Sequence, residues 1–395
     1  MAGNESVTIE DIDGISSLCT GCGACAAACP TGSICMTTDR EGFSYPRVDN
    51  NQCIACHKCL NVCQASRDSA KHNPIEIEAL YASRKDERAA GSSGGIMGLL
   101  AKRVLESNGV VFGAVFDAEG HRVIHASTET HSLEKILRSK YVQSEAWPTY
   151  ARVKQHLCSG EQVLFCGTPC QVIGLNRYLG KQYSNLLTVD FFCHGVPSPG
   201  FFADYARLVE SQKGSRLTDV TFREKSHGWR EQHMRWYFSD GSNIEEPSLD
   251  NCHYFFFFLG NYSLRKSCYT CELYKRHEAD ITLADYWLID PAFDDDLGTS
   301  LVLANTENGL TFLKDIKKDT IEVPVDNFDF EIYRHSYCPN KRANFFDCYV
   351  NEGIEATCGS YFDNEHRVWC IRNRCGAIKN AFVSKIKNCI GAFTR

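Results

Sequence analysis

Two stretches of the chain repeat one cysteine spacing. The first reads Cys19-x-x-Cys22-x-x-Cys25-x-x-x-Cys29 and is followed by Pro30; the second reads Cys53-x-x-Cys56-x-x-Cys59-x-x-x-Cys63 and is followed by Gln64. A cubane of iron and sulfide needs four thiolates at roughly tetrahedral corners. A tight run supplies three of them, and the fourth comes from further away. In the bacterial two-cluster arrangement the fourth cysteine of each run ligates the other run's cluster. The spacing therefore predicts one 4Fe-4S centre on Cys19, Cys22, Cys25 and Cys63, and a second on Cys53, Cys56, Cys59 and Cys29. Zinc sites usually use separated C-x-x-C pairs, and a disulfide framework needs an oxidising compartment and usually a small secreted domain. Neither explains a run of four repeated at identical spacing.

The two runs use eight of the 22 cysteines. Among the others, Cys268-Tyr269-Thr270-Cys271 is a pair able to form half a metal site or a redox pair. With Cys170 and Cys193 the count reaches four, which suits a third cluster; Cys166 is a rival ligand. Cys35, in an apolar stretch, reads as a core residue.

Other residues could bind anions. Gly91-Ser92-Ser93-Gly94-Gly95 opens a segment in which Ile96, Leu99, Leu100 and Val104 recur at helical spacing. A Gly/Ser loop at a helix N-terminus offers backbone N–H groups where the helix dipole is positive, an arrangement suited to phosphate. Alone it reads rather as a flexible turn with a serine N-cap. Lys140-Tyr141-Val142-Gln143-Ser144 is rich in donors, although by spacing alone it is a solvated loop. Arg223 and Lys225 end a strand-like stretch. With His194 they are candidates to stabilise charge that develops on a substrate.

Elements must position these groups. Val110 to Asp117 and Val123 to Ser127 read as strands around a turn at Gly120, with a helix over Leu133 to Arg138. Gln162 to Cys166, a helix through Leu179 and Leu186 to Cys193 form a strand–helix–strand unit that should be parallel and right-handed. Its loops, with Cys170 and Cys193, then lie at the carboxyl ends of neighbouring strands, where open α/β sheets hold ligands. Val220 to Lys225 and His233 to Ser239 read as a hairpin. Tyr254 to Leu259 is a buried strand or helix, too short to span a bilayer.

The chain has 395 residues, is 43% apolar and carries a net charge of −7, so two or three domains are expected and nucleic acid is not the expected partner. The acidic start lacks a signal-peptide core. With so many cysteines, this points to a reducing, cytoplasmic setting. From His366 to Arg395 there are seven Lys/Arg and no Asp/Glu, and Val368, Ile371, Cys375, Ile378 and Phe382 repeat at three and four. That pattern reads as a basic amphipathic helix, docked on the body or in peripheral contact with an anionic membrane.

Five ordered motifs carry a resemblance: Ser93-Gly94-Gly95, Lys140-Tyr141-Val142-Gln143-Ser144, Gly167-Thr168-Pro169-Cys170-Gln171, Cys193-His194-Gly195-Val196-Pro197 and Cys268-x-x-Cys271. Over about residues 80 to 330 the chain resembles the coenzyme F(420) hydrogenase/dehydrogenase beta-subunit family. The resemblance implies a flavin-binding α/β body with its own 4Fe-4S centre on Cys170, Cys193, Cys268 and Cys271. Ser93, Gly94 and Gly95 would hold the flavin phosphates. Lys140, Tyr141, Gln143 and Ser144 would line the flavin, FAD or FMN, and Arg223 and Lys225 would face the substrate. The family often shows Gly-Asp-x-Trp-Gly where this chain has Ala284-Asp285-Tyr286-Trp287-Leu288.

The expected architecture is mixed α+β and α/β. A two-cluster ferredoxin module (1–66) and a linker (67–79) precede a flavin-binding part (80–160), a second part with the third cluster (161–335) and a helical, basic extension (336–395). The expected function is that of an iron–sulfur flavoprotein oxidoreductase. It would pass electrons between ferredoxin-type clusters and a flavin, and on to or from an organic substrate or deazaflavin-type coenzyme. A ferredoxin or a hydrogenase/dehydrogenase subunit would be its redox partner. The alternatives are a relay subunit without a substrate of its own and a cluster protein without flavin.

Overall fold

The computed structural model describes residues 8–66, 73–231, 233–246, 252–325 and 341–367. Of the expected linker only residues 67–72 lie outside them, and its last four residues instead begin a strand, Glu76–Ala82, of the main sheet; the basic amphipathic helix lies almost wholly outside.

The amino-terminal part holds little regular structure. A short antiparallel ribbon joins β1 (Ile34–Thr38) to β2 (Ser44–Val48). Each cysteine run closes with one short helix, Ala24–Ala28 or Lys58–Val62. Its apolar core is small, centred on Ile9, Cys25, Ala26 and Ile34. Cys35 lies on β1 with its side chain exposed, contrary to the core reading. The strand alternates faces, and Ile34 takes the inward one.

The body is built on an eight-stranded mixed sheet. Its parallel centre runs β4 (Val110–Asp117), β6 (Val163–Cys166), β7 (Leu186–Phe191) and β11 (Ile281–Asp285). Antiparallel strands extend it on both sides: β5 (Arg122–Ser127) beyond β4, and β12 (Ser300–Ala304), β3 (Glu76–Ala82) and β13 (Thr320–Val323) beyond β11. The centre reads as near-continuous apolar runs because both faces are covered. On one face Leu100 and Val104 of the helix Ile96–Glu106 pack with Val111, Leu164, Leu187 and Ile281. On the other, Val153 and Leu157 of the helix Tyr150–Cys158 and Val172 and Leu175 of the helix Pro169–Leu179 pack with Phe112, Val163 and Phe165. Ala24, from the ferredoxin part, is buried in the same cluster, so the two parts share core.

A smaller sheet, β8 (Leu217–Glu224), β9 (His233–Phe238) and β10 (Asn243–Glu245), carries Arg223 near one strand end. The aromatic run forms a helix, His253–Leu259, with Tyr254 to Phe258 all buried. Phe201, Phe202, Tyr205 and Tyr141 surround its Tyr and Phe rings at centroid distances of 5.2 to 6.0 Å, for example Tyr141–Phe258 at 5.2 Å and Phe201–Phe257 at 6.0 Å. A segment apolar on every side settles as a buried helix when its neighbours supply apolar contact all round. Residues 340–395 separate as a second compact unit. In its described part Phe345, Phe346, Cys348 and Phe362 are buried.

Candidate iron–sulfur centres and the neighbouring anion site

The eight ferredoxin cysteines sort into two cavities. One is lined by Cys19, Cys22, Cys25 and Cys63, the other by Cys29, Cys53, Cys56 and Cys59. This is the crossed pairing that two linked cubanes require, and the donor set, four sulfurs around each cavity, fits a 4Fe-4S centre. The loops that build the cavities repeat one backbone conformation. Gly21 and Gly23 have φ of +70° and +68°, and the equivalent Ala55 and His57 have +53° and +56°. Two left-handed residues per run turn successive Sγ atoms toward one centre. Glycine is compulsory only in the first run, because a Cβ at Gly23 would come within 2.3 Å of Trp147. Ala55 and His57 are exposed, and both positions carry a side chain in the same backbone conformation. Burial, and then the neighbouring Cys22, Cys19 and Cys63, push the Cys25 thiol well above its ordinary range. Four thiolates this close require cationic metal between them.

The second group lies in the body. Cys170 opens the helix Pro169–Leu179 beyond β6, Cys193 follows β7, Cys268 lies within the 3-10 turn Lys266–Thr270, and Cys271 caps that turn. Thr168 and Gln171 form a capping box that fixes this helix start, and Pro169 occupies its first turn. Burial raises the Cys193 thiol far above normal, and Cys268, Cys170 and Cys271 add to it. The Val196 amide points at Cys268 Sγ (3.5 Å) and the Leu273 amide at Cys271 Sγ (3.4 Å). Cys166 lies apart. Its thiol is pushed to about 12 by burial and then by Asp190, and it packs against the sheet core. The structure thus groups Cys170, not Cys166, with the other three.

The two regions touch. A Cβ at Gly174 would lie 3.2 Å from Cys22 Sγ, and Cys170 feels the charge of Cys22. The Tyr150 hydroxyl is within reach of the Cys22 and Gln171 carbonyls (3.1 and 3.0 Å), and Arg177 donates to the Cys63 carbonyl (2.9 Å). Gln64, which replaces the proline expected after the second run, donates to Thr20 Oγ1 (2.6 Å) and to the Cys170 carbonyl (3.2 Å). The departure from the ferredoxin pattern is a contact to the body.

The expected cofactor and catalytic residues divide into separate groups. Gln143 and Ser144 face the cluster side: Gln143 donates to the Thr20 carbonyl (2.8 Å), and Ser144 accepts from Gln171 (2.9 and 3.0 Å). Lys140 is half-buried, with Nζ donating to the carbonyls of Lys135, Ile136 and Leu137, and desolvation of the ammonium lowers its pKa to about 7. His194 packs edge-on against Phe258 (5.1 Å), and burial lowers its pKa from the usual imidazole value. Phe258 in turn meets Tyr141 (5.2 Å).

Ser93, Tyr141, Arg223 and Lys225 form the other group. Lys225 Nζ donates to the carbonyls of Ser93 (2.7 Å), Arg88 (3.1 Å) and Leu297 (3.1 Å), and burial, with the Arg223 charge, lowers its pKa to about 7. Arg223 pairs with Asp285 (2.7 Å), while its Nε and Nη2 are buried without a hydrogen-bond partner. Tyr141 is close enough for its charge and the Arg223 charge to act on each other. Trp287, about one-third exposed, stacks on buried Trp229 at 4.2 Å, and the Arg223 guanidinium lies 5.8 Å from its ring. Ala284 and Leu288 therefore replace the family's glycines without loss of an organised Asp285. Gly94 is packed against protein: its amide donates to Ser300 Oγ (2.9 Å), and a Cβ there would meet the Leu80 carbonyl at 2.5 Å.

Sequence reasoning missed Arg265, Arg88, Trp229 and Thr299. Only contacts far apart in sequence reveal them, such as Arg88 with Asp295 and with the Gly298 carbonyl.

Both parts have counterparts among known protein families. Residues 18–66 match the 4Fe-4S dicluster domain, and residues 160–326 match the carboxy-terminal region of the coenzyme F(420) hydrogenase/dehydrogenase beta subunit. A curated relative from Methanosarcina mazei, one of the subunits of an F(420)H(2) dehydrogenase, is 20% identical over 326 residues, or 78% of this chain and 85% of the relative. A chain of the xenon-derivatised F(420)-reducing NiFe hydrogenase complex from Methanosarcina barkeri shares 16% identity at a TM-score of 0.42, covering 73% of this chain and 91% of that one. Among the described residues, no helix is long and apolar enough to cross a membrane. Residues 160–326 are thus similar to the coenzyme F(420) hydrogenase/dehydrogenase beta-subunit family, and with the dicluster domain ahead of them the chain is an iron–sulfur protein of the oxidoreductase class.

Proposed function

We propose that the chain is a flavin-dependent oxidoreductase. Electrons would be carried from the two amino-terminal 4Fe-4S centres through a third centre on Cys170, Cys193, Cys268 and Cys271. They would pass to an organic substrate or deazaflavin-type coenzyme, or flow in the reverse direction. One observation carries this reading: twelve cysteines far apart in sequence converge as three groups of four, and the Cys19 group abuts the Cys170 group. Cys56 and Ile54 are exposed at the rim of the Cys29 group. That rim is the natural port for a redox partner protein.

A flavin, when bound, would supply the exchange between one-electron and two-electron chemistry. The exposed face of Trp287 suits its planar ring, and Arg223, with Nε and Nη2 unpaired, would face the substrate beside it. Thr299 Oγ1, also buried and unpaired, adds a third polar atom. Asp285 holds the guanidinium in place. Lys225, with its pKa near 7, can hold or release a proton at Nζ close to Ser93. Anaerobic purification with iron, sulfide and flavin counted per chain tests the scheme. About twelve irons, four for each of three cubanes, and one flavin are expected; about eight irons would remove the third centre.

A further inference from the structure

Arg265 is fully buried. A buried charge is costly unless it is paired, yet among the described residues no carboxylate pairs with this one. Nε donates to the Cys19 carbonyl (2.7 Å), Nη2 to the Ser44 carbonyl (2.8 Å) and Nη1 to Gln143 Oε1 (3.0 Å). Nη2 also reaches Cys19 Sγ (3.6 Å). All the oxygen acceptors are neutral. The Tyr45 ring lies beneath the guanidinium at 4.2 Å. Glycine at position 21 lets it approach, since a Cβ there would stand 2.7 Å from Nη1. Arg265 also begins the turn that carries Cys268, whose amide donates to the Arg265 carbonyl (3.0 Å).

We propose that the counter-charge of Arg265 is the cubane on Cys19, Cys22, Cys25 and Cys63, and that Arg265 sets that cluster's reduction potential. Four thiolates and their cluster carry net negative charge, and one-electron reduction adds another without making or breaking a bond to the protein. A fixed cation in a low-dielectric site favours the more negative form. Burial pulls the potential of this inner cluster down, and Arg265 opposes that pull, keeping it reducible beside the third centre. At the outer cavity the nearby cation, Lys58, is exposed, where solvent and salt screen it. Arg265 is a positioning residue. The proposal rests on the ligand assignment above.

The test is a dithionite redox titration, read by low-temperature electron paramagnetic resonance, on anaerobically reconstituted full-length chain. Wild type is compared with Arg265→Gln and Arg265→Lys. In Arg265→Gln at full iron content, one amino-terminal cluster should titrate at lower potential while the other stays in place; Arg265→Lys, which keeps the charge, should restore much of the shift. Coincident titrations of wild type and Arg265→Gln overturn the proposal. So does iron loss in both variants, which would make Arg265 a purely structural bolt. Failure of the ligand assignment looks different: the wild type itself would then show no paired amino-terminal signals.

Discussion

At the scale of single residues, the clearest division is between groups that face the clusters and groups gathered around Arg223 and Lys225. Lys140, Tyr141, Gln143 and Ser144 are consecutive enough to read as one strip, yet they serve different neighbours. The segment is not a regular strand, and Gln143 is drawn toward Thr20 and Arg265. Sequence cannot show this, because both partners lie more than a hundred residues away. Arg223 was legible as a charge at a strand end; its buried, half-satisfied state was not. If it faces substrate, Arg223→Ala should slow substrate turnover about a hundredfold, as removal of a preorganised donor does, with flavin content unchanged. Steady-state rates and released-flavin absorbance check this, and loss of flavin would contradict the substrate-side role.

At the scale of elements, the cysteine runs and the parallel strand–helix–strand unit were readable because local rules fix them. Ligand spacing fixes the first, and apolar runs around a Thr-Pro helix start fix the second. The aromatic run Tyr254–Leu259 was ambiguous, since periodicity says nothing about a segment that is apolar all round. Its helical form depends on rings from distant elements. The glycines of the first run allow a direct test of the loop geometry. Gly23→Ala must fit a Cβ within 2.3 Å of Trp147 at φ +68°. Gly32→Ala meets nothing within 4 Å at φ +67° and carries only the left-handed strain, about 1 kcal/mol. Iron analysis should find Gly23→Ala depleted by about one cubane, four irons, and Gly32→Ala close to wild type. Equal retention in both would refute the close-packing account.

At the scale of the whole molecule, the ferredoxin part is no appended domain on a flexible tether. Ala24 shares the sheet's second core, Gln64 and Arg177 cross the junction, and Arg265 reaches from the body to Cys19. Such contacts fix the spacing between neighbouring metal sites, which efficient one-electron transfer needs. The motifs made the clusters visible in sequence; their order in space, with the Cys19 group inside and the Cys29 group at the rim, came only from packing. The central claim is that Cys170, not Cys166, completes a third centre next to the inner cubane. It is tested most directly by low-temperature electron paramagnetic resonance of the dithionite-reduced chain, comparing Cys170→Ser with Cys166→Ser. The account predicts that Cys170→Ser loses the third centre's signal, and its magnetic coupling to the inner cluster, while Cys166→Ser keeps both. Spectra unchanged in Cys170→Ser, or a third signal lost only in Cys166→Ser, would contradict it.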